Sequence, residues 1–233
     1  MHAIFEYLRV ELPTLRERYH WSIPHIDGFP LSGETTYDAN VALKKFLHER
    51  WLSKTTNDQR LELAEFVIAA WGGVRGNRPT TLQRFVAEIG KENPATPLHG
   101  VASYSKLYSI AQPDRYSIYD ARVAACLNAI QYQFDPHSGL AFNYCPGRNN
   151  QIGNVATRTG FVFEEEFRVR TLVGNGWNRI PRANTYGSYL LLLRNCAVEF
   201  PKYKRHDFEM LLFANAEIET RKAMAKAREA RRH

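Results

Sequence analysis

The residues best placed to do chemistry lie between Leu98 and Ile130, within a segment that spans residues 95–134. The sequence there predicts a turn at His99-Gly100, a short helix, an extended segment, and then Asp120 at the start of a further helix. Unpaired N–H groups and the helix dipole favour a phosphate at a helix start. The donors concerned are the amides of Gly100, Val101 and Ala102. At the second helix start, the carboxylate of Asp120 is expected to be oriented by the first amides of that helix.

Apolar residues recur at helical spacing along most of the chain. Helices are predicted near residues 43–51, 61–71, 82–89, 123–134 and 186–197, and from 208 into the C-terminal tail. The alternation from Phe167 to Val173 predicts a short strand, and residues 20–37 and 134–160 are predicted to be irregular. The chain is therefore expected to be mostly all-α, with about nine helices in one compact domain spanning residues 1–233.

The net charge is +7, and its distribution is uneven. The tail, residues 221–233, holds six lysine and arginine residues against one glutamate, so it contributes five of these charges. Such a tail is either a solvated helix end or a surface that attracts a polyanion such as nucleic acid.

Composition excludes several classes of protein. No apolar run approaches a membrane span, and Glu6 interrupts any signal peptide. Three scattered cysteines exclude a disulfide framework and a site built from four cysteines, so we expect a cytoplasmic protein. Histidine-rich metal motifs and glycine-rich nucleotide loops are absent from the sequence, so no metal or cofactor is expected.

Two segments carry a resemblance to a known family. Leu98-His99-Gly100-Val101-Ala102 resembles the Leu-Pro-Gly-Val-Gly hairpin of the helix-hairpin-helix DNA glycosylase superfamily, which includes the 8-oxoguanine, endonuclease-III-type and adenine-mismatch enzymes. The segment Tyr116 to Val123 is similar to the family segment whose Asp is catalytic, with Ile118, Asp120 and Val123 in the matching places. The chain also resembles small bacterial proteins of the 8-oxoguanine glycosylase fold, some of which occur among anti-phage systems. About 35 residues carry the resemblance.

The resemblance implies a helical globule with an active-site cleft between two helical halves. It also implies excision of a damaged or modified base from double-stranded DNA, in repair or anti-phage defence, by a monomer without an iron–sulfur cluster. Asp120 would stabilise the positive charge that develops on the sugar. By strict alignment Tyr104 stands at the position of the family's nucleophilic lysine, and the nearest lysine is Lys106, two residues on. The spacing from hairpin to Asp120 is about two residues shorter than in the family, so Lys106 stays a candidate for the nucleophile or for a phosphate contact.

Further roles follow from the same resemblance. Arg122 and Arg148 join the hairpin amides as expected DNA contacts. An extruded base needs a pocket with aromatic faces, and four residues are candidates for it. They are Tyr104, Phe142, Tyr144 and Trp177.

Two other interpretations stay open at this point. Two departures from the family pattern, Tyr104 at the lysine position and the shortened spacing from hairpin to Asp120, favour a non-catalytic helix-hairpin-helix module that only binds DNA. The Arg228 to His233 spacing allows a ribonuclease-type toxin. The sequence leaves open which base is removed, and whether strand cleavage by a lyase step follows.

Overall fold

The computed structural model describes residues 1–30 and 33–232. Helices account for 61 % of the chain and strands for 4 %, which confirms the all-α prediction. Leu31 and Ser32, in the segment predicted to be irregular, lie outside the described residues, as does His233 at the end of the tail.

The described residues form ten α-helices. They are α1 (His2–Glu11), α2 (Leu15–Arg18), α3 (Thr36–Ser53), α4 (Asn57–Glu65), α5 (Pro79–Glu88), α6 (Val101–Ala111), α7 (Ala121–Phe134), α8 (Val169–Gly174), α9 (Thr185–Glu199) and α10 (Arg205–Ala230). A π-helical stretch, Phe66–Trp71, continues α4. Short 3₁₀ turns occupy Leu12–Thr14, Phe161–Phe163, Glu165–Phe167 and Arg182–Asn184.

Four two-residue strands complete the secondary structure of the described residues. They are β1 (Leu140–Ala141), β2 (Arg148–Asn149), β3 (Gly153–Asn154) and β4 (Asn178–Arg179). β1 pairs in parallel with β4, and β2 forms an antiparallel hairpin with β3.

The helix boundaries follow local sequence signals. Thr56 and Gln59 form a reciprocal capping box at the start of α4. Pro79 opens α5, where its missing N–H costs no hydrogen bond. The α4 extension ends at Trp71, and Gly73 follows with φ 69°, a left-handed conformation that glycine adopts without strain.

The strand predicted from Phe167 to Val173 is wrong. A 3₁₀ turn at Glu165–Phe167 leads into α8 instead. Phe167 and Leu172 are buried, and the Phe167 ring stacks on Phe161 with centroids 4.1 Å apart. A compact helical turn therefore buries these apolar side chains, which an isolated strand without a pairing partner could not do.

Helices α6 and α7 form the centre of the molecule. Every residue from Val123 to Tyr132 in α7 is buried, and α7 has its most extensive packing against α10. Within residues 1–30 and 33–232, no helix has the length and apolarity to cross a membrane.

Candidate active site

The hairpin before α6 has the predicted order of turn and helix. Gly100 precedes the helix with φ 82°, in the left-handed region. A Cβ at this position would lie 3.2 Å from the Phe85 ring, so both backbone and packing favour glycine. The chain then runs through α6 and an extended segment to Asp120, as the sequence predicts.

Asp120 caps helix α7. Its Oδ1 accepts hydrogen bonds from the backbone N–H groups of Arg122 at 2.9 Å and Val123 at 3.0 Å. Its Oδ2 accepts no hydrogen bond from any residue that the structure describes. One carboxylate oxygen therefore anchors the side chain, while the other remains for a ligand.

The extended segment before Asp120 is held by side chains from three helices. From α6, the Ser105 Oγ accepts the Tyr119 N–H at 3.1 Å. From α10, the Glu209 carboxylate accepts the Ile118 N–H at 2.7 Å. Two tyrosine hydroxyls of α9 donate to this segment's carbonyls. The Tyr186 hydroxyl donates to the Ser117 carbonyl at 2.8 Å, and the Tyr189 hydroxyl donates to the Ile118 carbonyl at 3.0 Å.

Lys106 is buried, with 7 % of its surface exposed. Its Nζ donates to the Ala102 carbonyl, one helical turn earlier, at 2.7 Å. It forms no ion pair with any carboxylate among the described residues. Burying an ammonium group without a counter-charge is costly, so such a lysine is a candidate for function rather than for stability.

Gly72 lets the chain pass directly over the Lys106 side chain. A Cβ at Gly72 would overlap the Cδ of Lys106, and it would lie only 2.8 Å from the Val67 carbonyl oxygen. The turn after the π-helical stretch and the lysine stem are therefore in close contact.

Asp120 and Lys106 line one cleft of about 790 Å³. This volume lies within the range of about 300–1,000 Å³ typical of small-molecule sites. The cleft walls come from α3, α6, α7, α10, the end of the π-helical stretch and the β2–β3 hairpin. Aromatic side chains form part of these walls. They are Tyr19, Trp21, Trp71 and Phe213.

None of the four aromatic residues predicted for a base pocket lines this cleft. Tyr104 and Phe142 are fully buried in the core. The Tyr144 hydroxyl and the Trp177 ring N–H also have partners within the protein, because each donates to a backbone carbonyl. Tyr144 donates to the Phe167 oxygen at 2.8 Å, and the Trp177 Nε1 donates to the Pro136 oxygen at 2.9 Å.

The three hairpin amides predicted to contact DNA differ in whether their N–H groups are free to donate to a ligand. The Val101 N–H donates to the Leu98 carbonyl at 3.3 Å, so the prediction of three unpaired amides is wrong for this one. The N–H groups of Gly100 and Ala102 have no acceptor among the described residues. Of these three hairpin residues, only Ala102 lines the cleft.

The two predicted arginines both line the cleft. Arg122 is paired with Glu217 at 2.7 Å, and its guanidinium lies over the Phe213 ring. Arg148, in β2, is exposed, and its side chain donates to none of the described residues. Arg148 is therefore the freer cation for a phosphate.

Cys145 lies behind the same site. Burial, and to a smaller extent the charge of Asp120, raise the pKa of its thiol to about 12, although the charge of Lys106 opposes both effects. The thiol therefore stays protonated at neutral pH and is a poor nucleophile.

Sequence reasoning missed the buried pair Lys44–Glu209 in the cleft wall, with Nζ and Oε1 2.5 Å apart. One signal was present, since Glu209 interrupts the apolar run Phe208 to Leu212. The part of the chain that the structure describes contains no group of three or more metal-binding side chains.

Comparison with known proteins gives no relative for this chain. It matches no protein-family model, no curated protein and no solved structure.

Proposed function

We propose that this protein is a DNA glycosylase that excises a damaged or modified base by cleaving the N-glycosidic bond. One observation carries the proposal: Asp120 and Lys106, reached through a hairpin, a helix and an extended segment, line a single cleft with aromatic walls. The resemblance of Leu98–Ala102 and Tyr116–Val123 to the helix-hairpin-helix glycosylases supports the same chemistry.

The proposed reaction begins with an extruded base in the cleft. As the bond between C1′ and the base breaks, the base leaves with the bonding electron pair and takes up a proton. The Asp120 carboxylate stabilises the positive charge that develops on the sugar. In a covalent route, the Lys106 ammonium gives this proton to the departing base, and the resulting amine forms a bond to C1′. The proton that the nitrogen then loses passes to the sugar ring oxygen as the ring opens to a Schiff base. In a hydrolytic route, water attacks C1′ instead and leaves an intact abasic site.

DNA would reach this cleft through backbone contacts that read no sequence. The Gly100 and Ala102 amides lie at the start of α6, and Arg148 stands at the cleft edge. Each favours a phosphate group. The basic tail at the end of α10 adds long-range attraction.

An excision assay tests the proposal. Duplexes bearing single oxidised, alkylated, deaminated or hypermodified bases are incubated with the chain, and alkali then reveals abasic sites. We expect excision of at least one class. Tight DNA binding without excision of any base would replace the proposal with the non-catalytic module. Degradation of RNA under the same conditions would replace it with the ribonuclease hypothesis.

A further inference from the structure

One face of helix α3 presents two polar side chains to the cleft. Asn40 and Lys44 are four residues apart, so they lie one turn apart on the same side of the helix. Both line the cleft that holds Asp120 and Lys106. Asn40 has 1 % of its surface exposed, and the Lys44 side chain has 15 % exposed. Buried polar groups in an otherwise largely apolar wall are the usual means of orienting a ligand.

The hydrogen bonds of Asn40 leave one acceptor free. Its Nδ2 donates to the Trp21 carbonyl at 2.9 Å and to the Thr36 carbonyl at 2.8 Å. Only an amide NH₂ group can donate to two carbonyl oxygens, so these bonds fix which atom is oxygen. Its Oδ1 accepts no hydrogen bond from residues 1–30 and 33–232.

The hydrogen bonds of Lys44 leave two donors free. One N–H of its ammonium donates to the Glu209 Oε1 at 2.5 Å, and an ammonium has three N–H groups. Both carboxylate oxygens of Glu209 are engaged, because its Oε2 accepts the Ile118 N–H at 2.7 Å. The pair is therefore fixed in place, and the ammonium keeps two donors for a ligand in the cleft.

An aromatic pair adjoins these polar groups. Trp21 packs edge-on against Phe213, with ring centroids 5.0 Å apart, and the Trp21 carbonyl is bonded to Asn40. Both rings line the cleft, and Trp21 has 38 % of its surface exposed. Such a surface can stack on a flat, aromatic ligand.

We infer that Asn40 and Lys44 select bases with a lactam edge, in which an N–H donor lies beside a C=O acceptor. The Asn40 oxygen accepts from the ring N–H. The two free donors of Lys44 match the two lone pairs of the carbonyl oxygen, whereas the ring nitrogen of an amino-substituted base has only one. This inference rests on the proposed function, since it names the class of base that the same cleft takes.

The test compares bases that differ only at this edge. Each duplex carries one base opposite a tetrahydrofuran site, so that no partner holds the base in the stack. The pairs are hypoxanthine against adenine and uracil against cytosine. Binding is measured with the Asp120→Asn chain, which is expected not to excise the base. We expect both lactam bases to bind at least about tenfold more tightly than their amino counterparts.

A matched pair of variants tests whether Lys44 produces the preference for lactam bases. In the Asp120→Asn background, Lys44→Met should abolish the preference, while Lys45→Met should keep it, because Lys45 is the next residue of α3 and its side chain is 78 % exposed. Equal affinity for both members of each pair, a preference for the amino bases, or a preference that survives Lys44→Met in a folded protein would overturn the inference. The comparison of bases needs no Lys44 variant, so it decides the matter even if Lys44→Met fails to fold.

Excision by the wild-type chain on the same duplexes is scored separately. Excision without a lactam preference would overturn this inference and leave the proposed function standing. A lactam preference without excision of any base would support the inference about the cleft and overturn the proposed catalysis.

Discussion

Asp120 and Lys106 line the same cleft, but the protein holds them by different means. Directional hydrogen bonds fix Asp120, since two α7 amides bind its carboxylate and three helices bind the segment before it. Lys106 makes a single hydrogen bond within its own helix, and the close approach of Gly72 confines its stem. Substitutions that keep these hydrogen bonds should therefore leave the structure around Asp120 intact, whereas changes in side-chain volume should displace Lys106.

The largest expected effect is at Asp120. Asp120→Asn keeps an oxygen for the two α7 amides but removes the charge, so the fold should survive. Excision should fall by at least about 10²-fold, because the developing positive charge loses its stabilising carboxylate. Single-turnover excision and thermal melting measure the two effects. Asp114→Asn, at an exposed position in the same segment, is the control. Wild-type excision by Asp120→Asn would remove this residue from the mechanism.

The next largest effect is at Lys106. Lys106→Ala should lower excision by about ten- to a hundredfold while DNA affinity changes less, because the amine acts on the sugar rather than on phosphate. In the covalent route, borohydride should trap the wild-type protein on DNA and should not trap the variant. Full activity in Lys106→Ala, together with no adduct in the wild type, would leave a glycosylase that uses water and Asp120 alone.

A smaller effect should come from Gly72. Gly72→Ala places a methyl group against the Lys106 stem and against the Val67 carbonyl. Overpacking of this kind costs about 1–3 kcal/mol, and the displaced lysine should lower excision by about tenfold. Gly187→Ala is the matched control, since a Cβ there meets nothing within 4 Å. Suppose that Gly72→Ala, like Gly187→Ala, matched the wild type in excision and melting temperature. The close contact between Gly72 and the Lys106 stem would then not be what positions Lys106.

The sequence predicted the parts of this site that depend on local signals. The apolar spacing of α3, α5, α7 and α9 predicted their existence, and Asp120 before Ala121 predicted the α7 cap. His99-Gly100 predicted a turn before α6, and the structure shows Gly100 there in the left-handed conformation. Each of these signals acts within a few residues, so neighbouring sequence suffices to detect it.

The sequence could not predict which aromatic residues face the cleft. Phe142 and Trp177 lie between helices in the sequence, but their rings are buried in the core. Trp21 and Phe213 come from segments about 190 residues apart, and they meet only when the chain folds. The choice between core and cleft depends on how the segment before α3 meets α10, and no local pattern in the sequence records that contact.

A weak effect is expected where one bond to the Asp120 segment is removed. Tyr189→Phe deletes the hydroxyl that donates to the Ile118 carbonyl at 3.0 Å. The change should cost about 1 kcal/mol of stability and lower excision only a few-fold, because Ser105 and Glu209 still hold the segment. Tyr203→Phe serves as control, since that hydroxyl has no hydrogen bond to the described part of the chain. A decrease as large as that of Asp120→Asn would show that this single bond sets the carboxylate position.

The smallest effect concerns the basic tail, and it appears in salt dependence rather than in rate. Ala223 and Ala227 are buried, and the Lys226 Nζ donates to the Gln133 carbonyl at 2.6 Å. Deleting residues 221–233 would therefore expose α7 as well as remove charge.

Replacing the exposed Arg228 and Arg232 with glutamine separates charge from packing. If both arginines bind phosphates, the slope of log affinity against log salt should become shallower by about 0.9 for each phosphate that is no longer neutralised. Excision at saturating protein should stay at the wild-type rate, because neither residue lines the cleft. Binding measured between low and moderate salt decides the matter. An unchanged slope would remove the end of α10 from the proposed DNA contacts.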